Sequence, residues 1–117
     1  MTILLLSGDL MFASRVAGAA ARLGATLDTI ASPEALSNRL ACVEPGALIV
    51  VDLTARGFDP GKWVPQFRAA TNPPRAIVAY GPHVHDALLT AAGEAGCDRV
   101  FSRGEFNARM DEILSAG

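Results

Sequence analysis

One carboxylate in this chain stands where α/β proteins place their chemistry. Asp52 ends the apolar run Ala47–Val51, and Gly57 and Pro60 then mark a loop. An apolar run without alternation is typical of a central strand of a parallel sheet, which is covered on both faces. Such a strand delivers its last side chain to the carboxyl edge of the sheet, where sites of this fold class form. We therefore expect Asp52 to lie at the centre of any functional site.

A second acid, Asp9, follows the apolar run Ile3–Leu6. Its carboxylate can bind a metal ion together with Asp52 and a backbone carbonyl, since hard cations prefer oxygen ligands. It is equally well placed to cap the helix that begins at Leu10, where a negative charge suits the helix dipole. The sequence leaves both roles open.

Segments of strand and helix character alternate along the chain, which predicts a parallel sheet with helices on both faces. The predicted strands are Ile3–Leu6, Leu27–Ala31, Ala47–Val51, Ala76–Tyr80 and Arg99–Phe101, and the predicted helices follow them over 10–23, 33–43, 61–70, 84–95 and from 103 to the end. The first and third strands are the most apolar and belong in the centre. This pattern predicts a flavodoxin-like (βα)5 doubly wound sheet of order 2-1-3-4-5, formed by one domain over residues 1–117.

Composition narrows the class of function. The chain has 117 residues, a net charge of −2 and a predicted isoelectric point near 5.6, which argues against a general nucleic-acid binder. No apolar run approaches a membrane span, and the N-terminus lacks the pattern of a signal peptide, so we expect a cytoplasmic protein. Cys42 and Cys97 lie far apart without motif spacing and are expected to be reduced, buried thiols.

Two stretches carry a resemblance to a known family. The runs Val51–Asp59 and Glu94–Arg103, with the order and spacing of the strand ends, resemble those of response-regulator receiver domains in two-component signalling. The resemblance covers nearly the whole chain. It implies a CheY-like fold, with Asp52 as the phosphoacceptor that attacks a phosphoryl group, and a Mg²⁺ ion that bridges carboxylates and phosphoryl oxygens.

The chain departs from the receiver pattern at most of the positions that support this chemistry. The family's acidic pair falls on Ser7 and Gly8, its hydroxyl residue falls near Tyr80 or Gly81, and its lysine falls on Arg103. Of the functional positions only Asp52 is intact. Arginine keeps the positive charge but is a broad planar fork rather than a compact ammonium. We therefore expect Asp52 either to form an ion pair with Arg103 or to cap the loop that follows it. We also expect a Tyr80 hydroxyl that is hydrogen-bonded in the cleft.

The sequence thus predicts an atypical receiver, or pseudo-receiver, that is not an enzyme and needs no cofactor. It would act through a protein partner or a homodimer, using the fourth helix, fifth strand and fifth helix, with Mg²⁺-dependent phosphorylation lost or impaired. Three alternatives stay open. One is a working phosphoacceptor in which Asp9 and Asp52 bind Mg²⁺, and another is a small-ligand binder in the cleft between Ser7, Asp52 and Tyr80. The third is an ordinary enzyme on this fold, which the sequence favours least because no base, nucleophile or metal cluster converges. His83 and His85, without a third ligand nearby, are expected to be surface residues rather than a metal site.

Overall fold

The structure, a computed structural model, describes residues 1–116 and has the predicted sheet. Five parallel strands pair in the order β2-β1-β3-β4-β5. Their bounds are Thr2–Leu6 for β1, Thr26–Ile30 for β2, Leu48–Asp52 for β3, Ala76–Gly81 for β4 and Arg99–Ser102 for β5. The prediction of a flavodoxin-like α/β fold is confirmed, including the edge position of β2.

The helices follow the strands as the sequence predicts, with two differences. They are α1 (Leu10–Arg22), α2 (Pro33–Leu40), α3 (Pro60–Arg68), α4 (Asp86–Glu94), α5 (Arg103–Ala108) and α6 (Met110–Ala116). The predicted last helix is interrupted at Arg109, where φ is −117° and ψ is 22°. The fourth helix begins at Asp86 rather than Val84, because the segment Pro82–His85 forms a turn instead.

Local sequence explains where several helices begin. Ser32 and Asp59 each accept a hydrogen bond from a backbone N–H of the helix that follows, and each precedes a proline at the first helical position. Ser102 and Glu105 form a capping box at α5. Pro65 lies inside α3, where its missing N–H leaves one backbone hydrogen bond of the helix unmade.

Strand alternation divides the buried side chains between the two faces of the sheet. One cluster packs under α1, α5 and α6 and includes Leu5, Val50, Phe12, Tyr80 and Phe106. The other packs under α2, α3 and α4. Asp52 pairs in register with Tyr80, which pairs with Phe101. The strand ends therefore direct Asp52 and Tyr80 to the same face.

Two further findings bear on the sequence predictions. Cys42 is exposed and Cys97 is half-buried, and both are free thiols. The expectation that both are buried is wrong for Cys42, because it lies just beyond the last turn of α2. Within residues 1–116, no helix is both long enough and apolar enough to span a membrane.

Candidate functional site

Asp52 is held by hydroxyl and amide groups at the carboxyl end of β3. Its side chain is only 4% exposed. Oδ1 accepts hydrogen bonds from the Thr54 backbone N–H at 2.9 Å and from Thr54 Oγ1 at 2.6 Å. Oδ2 accepts a longer hydrogen bond from Ser7 Oγ at 3.4 Å. The carboxylate is therefore satisfied by neutral donors, and Thr54, which the sequence analysis missed, supplies two of them. The Asp-x-Thr spacing, which favours a local turn, was the signal that could have identified it.

Asp9 caps α1 and is also bound to a cation. Its Oδ1 accepts a hydrogen bond from the Phe12 backbone N–H at 3.0 Å, and its Oδ2 accepts one from Arg103 Nη2 at 2.5 Å. The Phe12 N–H and then the Arg103 guanidinium hold the pKa of the Asp9 carboxyl below its usual value. Both oxygens are thus engaged by the protein itself. The Asp9 backbone N–H in turn donates to Ser7 Oγ at 3.0 Å, which links the cap to Asp52.

Arg103 connects the start of α5 with the start of α1 through its ion pair with Asp9. It is the first residue of α5, and its guanidinium lies over the Phe12 ring at 4.6 Å from the centroid. Of the two roles expected for Asp52, the ion pair with Arg103 is wrong, since the salt bridge that Arg103 makes is with Asp9, and the loop cap is found in the hydrogen bond from the Thr54 backbone N–H. The half-buried Asp9 offers the guanidinium a charged partner, whereas Asp52 is buried with its oxygens already hydrogen-bonded. The Asp9 carboxylate raises the pKa of Arg103.

Tyr80 lies beneath this site with its hydroxyl buried. The side chain is 1% exposed and its ring stacks on Phe106 and packs against Phe12, each with a centroid distance of 4.8 Å. Burial raises the pKa of the phenol, the Asp52 charge raises it further, and the nearby Ser7 hydroxyl lowers it. Even so, no atom of residues 1–116 meets the geometry of a hydrogen bond to the Tyr80 oxygen. The expectation of a hydrogen-bonded hydroxyl is therefore wrong.

The open part of the site is a small polar cleft of about 360 Å³. It is lined by Gly8, Asp9, Asp52, Thr54, Ala55, Arg56 and Arg103. Three residues expected to line it, Ser7, Tyr80 and Gly81, are buried instead. Gly81 packs closely under Leu53, since a Cβ at this position would lie 3.4 Å from the Leu53 Cβ. The cleft is therefore lined by charged side chains rather than by the Ser7 and Tyr80 hydroxyl groups that the sequence suggests.

Comparison with solved structures identifies the architecture. A receiver domain of a sensor histidine kinase from Pseudomonas aeruginosa, with a magnesium ion in its active-site cleft, superposes with a TM-score of 0.82 at 16% identity, over 98% of this chain and 94% of that one. A receiver domain from Bermanella marisrubri gives 0.83 at 18% identity, over 98% and 95%. A two-component response regulator from Clostridium difficile gives 0.76 at 19% identity, over 98% and 96%.

The chain has the receiver-domain fold. No family model matches the sequence, and no curated protein matches it either. The likeness thus lies in the three-dimensional arrangement, with Asp52 at the strand end where the receiver resemblance places the phosphoacceptor.

The residues around Asp52 do not fit the magnesium site that the receiver fold implies. Mg²⁺ needs several oxygen ligands in near-octahedral geometry. Ser7 is buried, Gly8 has no side chain, and both Asp9 oxygens are engaged by Phe12 and Arg103. In residues 1–116 no group of three or more His, Cys, Asp or Glu side chains is arranged to hold a metal ion. His83 and His85 are exposed, as expected for surface residues.

The Tyr80 hydroxyl gives the first testable prediction for this receiver fold. We expect Tyr80→Phe to raise the free energy of unfolding by about 1 kcal/mol, because it removes a buried polar group that has no partner. Urea unfolding followed by circular dichroism would measure the change. A loss of stability would instead show that the hydroxyl is hydrogen-bonded in solution.

The Asp9 charge gives a second prediction, which concerns how the stability of the fold depends on pH. Asparagine caps helices about as well as aspartate, so Asp9→Asn removes the charge and keeps the cap. Because the folded-state pKa of Asp9 is lowered, its charge stabilises the fold above the ordinary pKa of 3.8, and this contribution is lost as the pH falls through the lower folded value. We expect Asp9→Asn to unfold at a lower temperature than the wild type at neutral pH, with the difference shrinking below about pH 4.

The control for this prediction is the same substitution in an Arg103→Gln background. There the pH-dependent difference should be smaller, because the guanidinium that stabilises the charge is gone, but it should not vanish, because the Phe12 N–H remains. An unchanged difference in that background would contradict a role for Arg103.

Proposed function

We propose that this chain is an atypical receiver, a pseudo-receiver signalling domain that acts by protein–protein contact and in which Mg²⁺-dependent phosphorylation of Asp52 is lost or strongly impaired. The observation that carries the proposal is the Asp9–Arg103 ion pair. In this pair Asp9, the acid that could help to bind a metal ion, is bound to Arg103, the residue at the position of the family's lysine. In this proposal the chain is a single cytoplasmic domain, has no resident cofactor and is not an enzyme.

Electrostatics support the proposed loss of phosphorylation. Transfer of a phosphoryl group to a carboxylate brings two anions together, and a divalent cation normally offsets that repulsion. Here Asp52 receives hydrogen bonds from Thr54 and Ser7, which are neutral. Arg103 could offset the charge only by leaving Asp9, with loss of its short ion pair. Phosphorylation of Asp52 would therefore cost the Asp9–Arg103 ion pair.

The same ion pair suggests how the domain would signal without a phosphoryl group. Arg103 connects the start of α1 to the start of α5, and its stacking on Phe12 places it over the aromatic cluster beneath. In the receiver family the equivalent lysine responds to phosphorylation. Here the arginine already has a carboxylate partner, so we propose that the domain presents one constitutive surface to its partner.

For the partner surface we propose the face of α4, β5 and α5, through which the chain would bind another protein or a second copy of itself. The Arg99 and Arg109 guanidinium groups lie 4.9 Å and 5.6 Å from the centroid of the Phe101 ring. Val84, just before α4, is 72% exposed. Arginine and aromatic residues are enriched at protein–protein interfaces, and this face contains both.

The test is direct chemical phosphorylation. The purified chain would be incubated with acetyl phosphate and Mg²⁺, and its intact mass measured beside a conventional receiver as a positive control. We expect no species carrying an added phosphoryl group. Stoichiometric modification that Asp52→Asn abolishes would overturn the proposal and favour a working phosphoacceptor that uses Asp52 with Asp9.

A further inference from the structure

A groove separate from the Asp52 cleft lies between α1 and the junction of α5 and α6. It has a volume of about 660 Å³, within the range of small-molecule sites. Arg15 and Arg22 line it from α1, and Arg109 lines it from the junction. Guanidinium groups therefore reach the groove from both walls. The receiver resemblance does not use this groove, and the proposed partner surface shares only Arg109 with it.

The hydrogen bonds in the groove leave positive charge and free donors. Arg22 holds Asp111 through Nε and Nη2, and Arg109 holds Glu112 through the same two atoms. The Nη1 atom of each of these arginines is not used in those bidentate pairs. Among residues 1–116, Arg15 donates only to the neutral amide oxygen of Asn107, at 3.2 Å. Among the lining residues, arginines outnumber carboxylates three to two, although the whole chain is acidic.

Gly18 forms part of the groove in the middle of α1. Glycine is less favourable than alanine inside a helix. The backbone does not require it here, since Gly18 is not among the glycines with positive φ. A Cβ at this position would meet Arg22 Nη1 at 3.6 Å, in ordinary van der Waals contact. A side chain at position 18 would fill the space beside Arg22 Nη1, the donor of that guanidinium that does not bind Asp111.

From these observations we propose that the groove binds a small polyvalent oxyanion, a molecule carrying phosphate or carboxylate groups. Arg15 is its principal charged contact, and the free Nη1 donors of Arg22 and Arg109 hold further oxygens from the two walls. Planar guanidinium groups match the oxygens of both chemical classes. The open backbone at Gly18 gives the ligand access to Arg22.

The experiment is an amide NMR titration of the wild-type chain with pyrophosphate in one arm and citrate in the other, at constant ionic strength set with sodium chloride. We expect saturable shifts at Arg15, Gly18 and Asn107 in at least one arm, and the stronger arm identifies the preferred class of anion. Arg15→Gln should weaken that binding about tenfold, through loss of a charge-assisted contact. Arg39→Gln is the matched control, because Arg39 lies on α2 across the sheet and pairs with Asp28.

Gly18→Ala separates binding from folding. It should raise the unfolding temperature, because alanine favours the helix, and yet weaken anion binding several-fold. Gly93→Ala in α4 is the control, since a Cβ there meets no atom within 4 Å and α4 does not line the groove. It should leave binding unchanged. The proposal is overturned if neither anion gives saturable shifts at the groove, or if Arg15→Gln and Arg39→Gln bind equally well.

Discussion

Phe106→Ala is expected to lower the free energy of unfolding by about 3–5 kcal/mol, a large part of the stability of a small domain. Phe106 is fully buried, and its ring centroid lies 4.8 Å from that of Tyr80, 5.9 Å from Phe12 and 6.4 Å from Phe101. Removing the ring leaves a cavity between α5 and the sheet. Urea unfolding at neutral pH would measure the loss.

The matched control is Phe58→Ala, on the opposite face of the sheet. Phe58 is only partly buried and stacks on Phe67 at a centroid distance of 6.5 Å. We expect its loss to cost clearly less than that of Phe106. Equal effects would mean that the aromatic cluster under the site has no special part in the fold.

Because Phe12 both packs on Phe106 and supports Arg103, the Phe106 variant also tests the site. We expect the Arg103 side chain to become more mobile in Phe106→Ala than in Phe58→Ala, as seen in its NMR signals. The core and the ion pair above it would then be physically coupled.

The second large effect is a gain of metal binding. In the double variant Gly8→Asp, Arg103→Ala, a new carboxylate joins Asp52 at the cleft, and Asp9 loses its cation. A Cβ at Gly8 meets no atom of residues 1–116 within 4 Å, so the backbone can accept the change. We expect Mg²⁺ binding to rise from undetectable to saturation at about millimolar concentration, measured by calorimetry.

Gly104→Asp, Arg103→Ala is the control for this prediction. It has the same change in charge, and Gly104 is also free of contacts within 4 Å, but it does not line the Asp52 cleft. This variant should not gain Mg²⁺ binding. If both double variants bind Mg²⁺ alike, added negative charge rather than a built site explains the effect.

Most of the fold could be predicted from the sequence because its signals are local. The unbroken apolar run Ala47–Val51 predicted a central strand, and the more polar Leu27–Ala31 predicted an edge strand. The break at Arg109 could not be predicted, since the apolar spacing of Phe106, Met110 and Ile113 continues across it. The periodicity of apolar residues shows which face of a helical segment is buried. It does not show whether that segment is one helix or two.

The site was predictable at the level of strand ends but not of side-chain partners. Strand order places Asp9, Asp52 and Arg103 at one edge of the sheet, as the structure finds. Which carboxylate Arg103 contacts depends on burial, because Asp9 is half-buried on a helix cap and Asp52 is buried at a strand end. The unpartnered Tyr80 hydroxyl likewise depends on packing that no sequence pattern records.

We propose that the Asp9–Arg103 pair leaves Mg²⁺-dependent phosphorylation of Asp52 lost or strongly impaired. The most direct measurement is a backbone amide NMR titration of the wild-type chain with Mg²⁺, followed by Mg²⁺ with beryllofluoride as a phosphoryl mimic. We expect no saturable shifts at Asp9, Asp52 or Arg103 at millimolar concentrations. Saturable shifts centred on Asp52 that spread along α5 would contradict the claim and show a working receiver.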